Sequence, residues 1–362
     1  MSLQVTVASI ISLLVIAALS QPLASRLKLP LAAVLAALGI AISSLAGWAY
    51  SLPEDSLLSD IGSSLEVLAA LPISSDIFLY VLLPVLLFQG AVGIDIRHLA
   101  QDSAAVLLLA ILAVLATIAM IGGAVSFVAG LDLTACLLLG AIVATTDPSA
   151  VIAIFRELGA PPRLTRLVEG ESLLNDASAI AAFTILSSAI TLGDKPSWSD
   201  LSIQIMSGFA IGAILGMTGG IILARCLDKL RNYRSAQMTL TLATPYILFL
   251  IGSTTPMISG VVAVVASGIS FGFIGRSRFG RQDFRFLREL LDQAGDWSTG
   301  LIFLLAALLV PRLLGDISGQ DLALVALVAV TALAARAIIL WGVAPILTLL
   351  GLMKPIGDFS PD

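Results

Sequence analysis

The chain has 362 residues, of which 58% are hydrophobic and 12% charged, with a formal charge of -5 and a mean hydropathy of +1.05. A soluble domain carries about 25% charged residues, so this composition excludes a soluble globular protein and points to an all-α chain that crosses a membrane many times. The acidic balance says little about partners, because membrane proteins segregate their charges by side.

A bilayer span needs about 17 to 25 mostly apolar residues. Read this way, the chain predicts eleven helices, near 3–21, 29–47, 77–93, 103–129, 131–155, 165–192, 203–226, 236–254, 257–276, 297–313 and 320–353. The first apolar run has no basic start and no small-residue cleavage site, so it reads as a true span and not as a signal peptide. The connecting segments alternate in charge: one set holds sixteen of the nineteen Lys and Arg, the other only Lys195 and Arg312, and Arg336 falls inside a helix. The positive-inside rule then puts the N-terminus outside and the Lys354 region in the cytoplasm, with the acidic residues Glu54, Asp55, Asp60, Glu66 and Asp76 on the external side. The basic stretch 273–296 interleaves Phe284, Phe286, Leu287, Leu290 and Leu291 with arginines, which fits either an amphipathic helix at the headgroups or a plain charged connector. Cys136 and Cys226 each lie within or at the end of an apolar run and read as buried small side chains without a disulfide. His98, beside Arg97 in a short loop, reads as a solvated residue. Neither a low-complexity tract nor an appended soluble domain is evident.

Two runs carry ionisable residues where an apolar span is expected. Each such group costs about 2.5–3.5 kcal/mol on insertion scales, so it defaults to a functional site. In Ala144-Thr145-Thr146-Asp147-Pro148, the proline lacks an N–H, its ring displaces the carbonyl of Ala144, and Asp147 is biased away from helical geometry. The helix should open there. Its freed carbonyls and the hydroxyls of Thr145 and Thr146 would face a dehydrated cation; Asp147 either caps the next half-helix or contacts the ion. In the second run, Ser172 and Asp176 share a helix face, with Asn175 on its flank. Carboxylate, hydroxyl and amide oxygens form a hard-oxygen set suited to Na⁺ or another small cation. Asp176 stands about 11 residues into its helix, ~16 Å by helical rise, near the midplane. Glu171 is placed for an arginine partner, and Glu169 for the membrane interface.

These residues resemble the monovalent cation:proton antiporter-1 family of sodium/proton exchangers, especially its prokaryotic members. The resemblance rests on Leu82 to Phe88, on Thr146-Asp147-Pro148, on Glu169 through Asp176 and on Ser259 through Gly268. It implies an interrupted-helix antiporter fold and a homodimer whose core moves like an elevator past a dimerisation scaffold. Residues 1–100 and 193–318 would supply the scaffold, 101–192 the first half of the core, and 319–362 the start of its second half. It further implies that Asp176 binds the transported cation and the proton, that Thr146 and Ser172 add oxygen ligands, and that Asn175 marks the electroneutral branch. Arg336 resembles a core arginine that could partner Glu171. Two departures stand out. Gln89 occupies a position where many relatives carry glutamate, which touches ion preference and pH response. The family also continues past the position of Asp362, through a second interrupted helix and a final helix, so the chain reads as lacking the last two.

The activity implied is exchange of a monovalent cation, Na⁺ first and Li⁺ or K⁺ next, for H⁺ across a bacterial inner membrane. Membrane lipid is its surroundings, and it has no cofactor, no enzymatic step and no nucleic acid. A K⁺/H⁺ antiporter and an uncoupled cation channel are the alternatives. An intramembrane aspartyl protease would need a Gly-x-Gly-Asp motif, which neither Asp147 nor Asp176 has.

Overall fold

A computed structural model describes residues 3–50, 76–94, 103–145, 151–192 (apart from 153, 156, 157 and 161), 198–255, 258–314, 317–343 and 349. The elements formed by the described residues are all helical: α1 Leu3–Leu27, α2 Leu31–Tyr50, α3 Ile77–Gly93, α4 Ser103–Ala129, α5 Leu133–Val143, α6 Pro162–Leu192, α7 Trp198–Lys229, α8 Arg234–Thr254, α9 Gly260–Arg278, α10 Arg281–Leu314 and α11 Gly319–Ile338. α3 opens with a π-helical turn, Ile77–Leu82, and a second such turn, Ile339–Val343, follows α11.

Among the described residues, eight helices are long and apolar enough to cross a bilayer, against eleven expected. The three that fall short are informative. α3 is a shorter apolar helix over Ile77–Gly93, α5 stops after 11 residues, and α6 is diluted by the polar run 163–176. They are the helices that carry Gln89, the helix break and Asp176.

Two boundaries differ from the hydropathy reading. The run expected as one span over 131–155 ends as a helix at Val143, with Ala144 as its C-cap. The basic stretch after α9 is no long loop: α10 starts at Arg281 and continues for 34 residues. Its apolar residues explain why, since Leu287 and Leu291 recur at helical spacing and are each 1% exposed. This buried stripe is what makes the basic segment a helix.

The chain divides into two compact units, 1–86 with 290–318, and 87–289 with 319–362; the division falls within α3 and α10. In the first unit, Leu13 packs with Leu304, Leu305 and Leu308, and α2 meets α10 at Gly39, where a Cβ would sit 2.6 Å from that of Ala307.

In the second unit, α7 and α9 are pressed together along a glycine ladder. A Cβ on Gly212 would lie 2.7 Å from the Ser259 carbonyl, and on Gly216 and Gly220 it would collide with the carbonyls of Ala263 and Ser267. Between lipid-immersed helices, apolar side chains gain nothing by leaving lipid, so close backbone approach through small residues supplies the packing energy. α9 also grips the end of α3. Phe271 stacks on Phe88 with centroids 6.0 Å apart, and Arg276 Nη2 donates to the Val92 and Gly93 carbonyls at 3.2 and 2.8 Å. A cation at the carbonyl end of a helix offsets its dipole.

The turns after α7 and α9 meet through arginines. Arg231 pairs with Asp228 at 2.7 Å and donates to the Arg278 carbonyl at 2.9 Å, while Arg234 lies over the Phe286 ring at 5.5 Å. Cys136 is buried, as expected, whereas Cys226 is exposed; its place in the last turn of α7 leaves it beyond the packed seam.

Candidate functional site

The site is assembled from α4, α5, α6 and α11, all in the second unit. Asp132 starts α5, its carboxylate accepting from the amides of Thr134 and Ala135 at 2.9 and 3.3 Å. Such an N-cap satisfies helix donors that have no intrahelical acceptor. α5 then locks into α4 by reciprocal small contacts: a Cβ on Gly122 would lie 2.6 Å from Leu137 Cδ2, and one on Gly140 would lie 2.7 Å from the Ile118 carbonyl. α6 closes the group, with Ala179, Ala182 and Leu186 sharing an apolar cluster with Val114, Ile118, Leu137, Ala141 and Ala144.

The polar set on α6 begins where that stripe leaves off. Ser172, Asn175, Ala179, Ala182 and Leu186 follow one another at helical spacing on a buried face, Ser172 being 4% and Asn175 0% exposed. Asp176 is next to this stripe and half-buried. Among the described residues, neither Oδ1 nor Nδ2 of Asn175 has a hydrogen-bond partner. A buried amide left without partners costs about 1–3 kcal/mol. That cost stands out because the neighbouring Ser178 hydroxyl is satisfied by the Leu174 carbonyl at 2.7 Å.

α11 brings the positive charge. Its residues Leu324, Leu327, Val328 and Ala332 pack against the cluster of Ile121, Val125 and Cys136 on α4 and α5. Leu324, Val328, Ala332 and Arg336 succeed one another at i, i+4, so the packed face delivers the guanidinium. Arg336 Nη1 lies 3.1 Å from Glu171 Oε1, and Nη2 donates to the Ala144 carbonyl at 3.2 Å. Both side chains of the pair are 26% exposed. The end of α5 is thereby bracketed along α6. Ala144 is tied to Glu171 on one side and shares an apolar cluster with Ala179 on the other; Ser172, Asn175 and Asp176 lie between.

Of the residues singled out in the sequence, the structure brings Glu171, Arg336 and the end of the broken helix together and sets Ser172, Asn175 and Asp176 on the adjoining stretch of α6. Gln89 is half-buried on α3, one residue after the Phe88 that stacks on α9. Thr146 and Asp147 lie outside the described residues. The Ala144 carbonyl differs from expectation in one respect: it is engaged by a guanidinium, because the i, i+4 stripe of α11 aims Arg336 at the helix end. That stripe is readable in the sequence and was the available signal for this contact. Among the described residues, no group of three or more His, Cys, Asp or Glu converges on a metal position, so the α6 set is one carboxylate with a hydroxyl and an amide.

A bundle of membrane-crossing helices with one helix broken beside a half-buried carboxylate is the architecture of a secondary transporter. The chain belongs to the sodium/hydrogen exchanger family, whose transmembrane region matches residues 10–357, and is accordingly an integral multi-pass membrane protein. It is 36% identical over 247 residues to the Na⁺/H⁺ antiporter ApNhaP of Aphanothece halophytica, covering 67% of this chain and 47% of that protein. It is 29% identical over 300 residues to sodium/hydrogen exchanger 7 of Arabidopsis thaliana, covering 82% of this chain and 25% of that one. The chain thus spans about a quarter to a half of the length of these curated relatives. In fold it is similar to the sodium proton antiporter MjNhaP1 of Methanocaldococcus jannaschii, with a TM-score of 0.72 at 20% identity over 99% of this chain and 81% of that one.

Proposed function

We propose that the protein exchanges a monovalent cation, Na⁺ foremost, for H⁺, with Asp176 binding either one or the other. The observation that carries this reading is the polar stretch Ser172–Asn175–Asp176 on α6, with Ser172 and Asn175 buried and Asp176 half-buried, bracketed by contacts to the end of the broken α5. Burial raises a carboxylate's proton affinity and cation contact lowers it, so one ligand displaces the other. The empty, charged site crosses a low-dielectric barrier poorly. Only the neutralised site moves, which makes exchange obligatory. Ser172, and Thr146 from the broken segment, supply oxygens to the dehydrated cation; Asp147 caps or contacts it. With Asn175 in place of a second carboxylate, one charge replaces one charge and the cycle is electroneutral.

The reading extends to the assembly. It takes a homodimer in the inner membrane with the N-terminus outside, in which residues 101–192 and 319–362 translocate against a scaffold from 1–100 and 193–318. Li⁺ and K⁺ are alternative substrates, and Gln89 modulates the choice. The test is proteoliposomes with an inside-acid pH gradient and an entrapped pH dye. Na⁺ addition should collapse the gradient without a membrane potential being required, and Asp176→Asn should abolish the response. A response carried by K⁺ alone reassigns the substrate, whereas Na⁺ flux that moves no protons makes the protein a channel and overturns the reading.

A further inference from the structure

We propose that Arg336 is a positioning residue for the carbonyl end of α5, and that the Ala144 carbonyl, more than the Glu171 carboxylate, is the partner on which ion handling depends. This rests on the exchange reading above and adds to it.

The last four carbonyls of a helix have no intrahelical donor, and together they carry roughly half a negative charge. Where a helix stops at Val143 inside apolar surroundings, those carbonyls must find a partner in the protein. The Ala144 carbonyl has found Arg336 Nη2 at 3.2 Å, while Nη1 of the same group reaches Glu171 at 3.1 Å. A guanidinium can serve both because its donors are fixed in a planar fork; an ammonium is a single compact charge. The contact has two effects. It withholds one strong oxygen from a dehydrated cation arriving at the broken helix, so the cation must use the α6 set. It also offsets the negative pole of α5 beside Asp176, quite apart from neutralising Glu171.

An ion pair alone makes a different forecast. If Arg336 served only as the counter-charge of Glu171, removing both charges together would restore the protein. Glu171→Gln, Arg336→Gln, Arg336→Lys and the pair Glu171→Gln/Arg336→Gln separate the two cases. Hydrogen exchange at amides 139–145 is the first measurement, with amides of the α7–α9 seam as an internal control for intact folding. We expect Glu171→Gln to keep the protection of 139–145, and Arg336→Gln, Arg336→Lys and the pair to lose it at least tenfold with the seam unchanged. The second measurement is the apparent KM for Na⁺ against the maximal rate. The freed carbonyl should lower KM at least fivefold and slow turnover in Arg336→Gln, with no rescue in the pair.

Recovery of wild-type protection and kinetics in the charge-neutral pair would overturn the proposal, as would loss of protection in Glu171→Gln equal to that in Arg336→Gln. Arg336→Lys keeps the charge in place, so it reads the carbonyl contact even if the neutral variants fold poorly. The amide measurement needs no transport. Loss of the exchange reading would therefore show as a wild-type protein with the expected protection pattern and no Na⁺-coupled proton movement.

Discussion

The glycine seam between α7 and α9 and the broken-helix region of α5, α6 and α11 belong to the same compact unit, yet they treat polar groups in opposite ways. Along the seam and its neighbour α8, buried polar side chains are satisfied close to home: Ser267 donates to the Val264 carbonyl at 2.8 Å, Thr241 to the Gln237 carbonyl at 2.8 Å, and Gln237 to the Leu227 carbonyl at 3.1 Å. In the broken-helix region the Ala144 carbonyl is served from α11 by a residue 192 positions away, and the Asn175 amide has no partner among the described residues. The seam satisfies its buried polar groups locally, whereas the second region holds a buried amide with no partner among the described residues.

That contrast can be broken from either side. The largest effect is expected for Asp176→Asn, which should reduce cation-coupled proton flux at least about 100-fold, the scale of losing a group that acts directly, while leaving the thermal transition of the detergent-purified protein in place. Residual flux near wild type would remove Asp176 from the mechanism. Next comes Gly216→Leu on the seam. With the Ala263 backbone in the way, overpacking should cost at the upper end of about 1–3 kcal/mol, visible as a lowered melting temperature, and an unchanged transition would mean that the two helices part without cost.

Asn175→Leu sharpens the comparison further. Replacing an orphaned buried amide by an apolar side chain of similar size should stabilise the protein by about 1 kcal/mol and at the same time impair exchange. A destabilised variant would show that the amide has a structural partner. The smallest effect is expected for Gln89→Glu. An added carboxylate near the ion path raises the proton affinity of Asp176, so the pH of half-maximal exchange should move in the alkaline direction by up to about one unit; superimposable profiles would place residue 89 away from the path.

The end of α5 at Val143 was legible because proline chemistry is local: the sequence Thr146-Asp147-Pro148 predicts a helix end there whatever packs on it. Ser172, Asn175 and Asp176 were legible for a similar reason, since polar residues at helical spacing within an apolar run are costly in a membrane unless they line a site. Two features were less so. The continuation of α10 through Arg281 to Leu291 was obscured because a hydropathy average counts its arginines and not the buried leucine stripe that makes the segment a helix. The engagement of the Ala144 carbonyl depended on which face of α11 is packed, a tertiary fact that emerges only when Leu324, Val328 and Ala332 are set in line with Arg336. The glycine ladder at 212, 216 and 220 sat in plain view at every fourth position, but its partner helix could not be named from spacing alone.

The two thiols differ in exposure, Cys136 enclosed between α4, α5 and α11 and Cys226 open in the last turn of α7. Alkylation requires solvent access to the sulfur, so a maleimide dye added to the folded protein should mark one position without any engineered cysteine. The molecule thus carries its own attachment point for a fluorescent reporter, in the last turn of α7, past the glycine-sealed stretch of that helix.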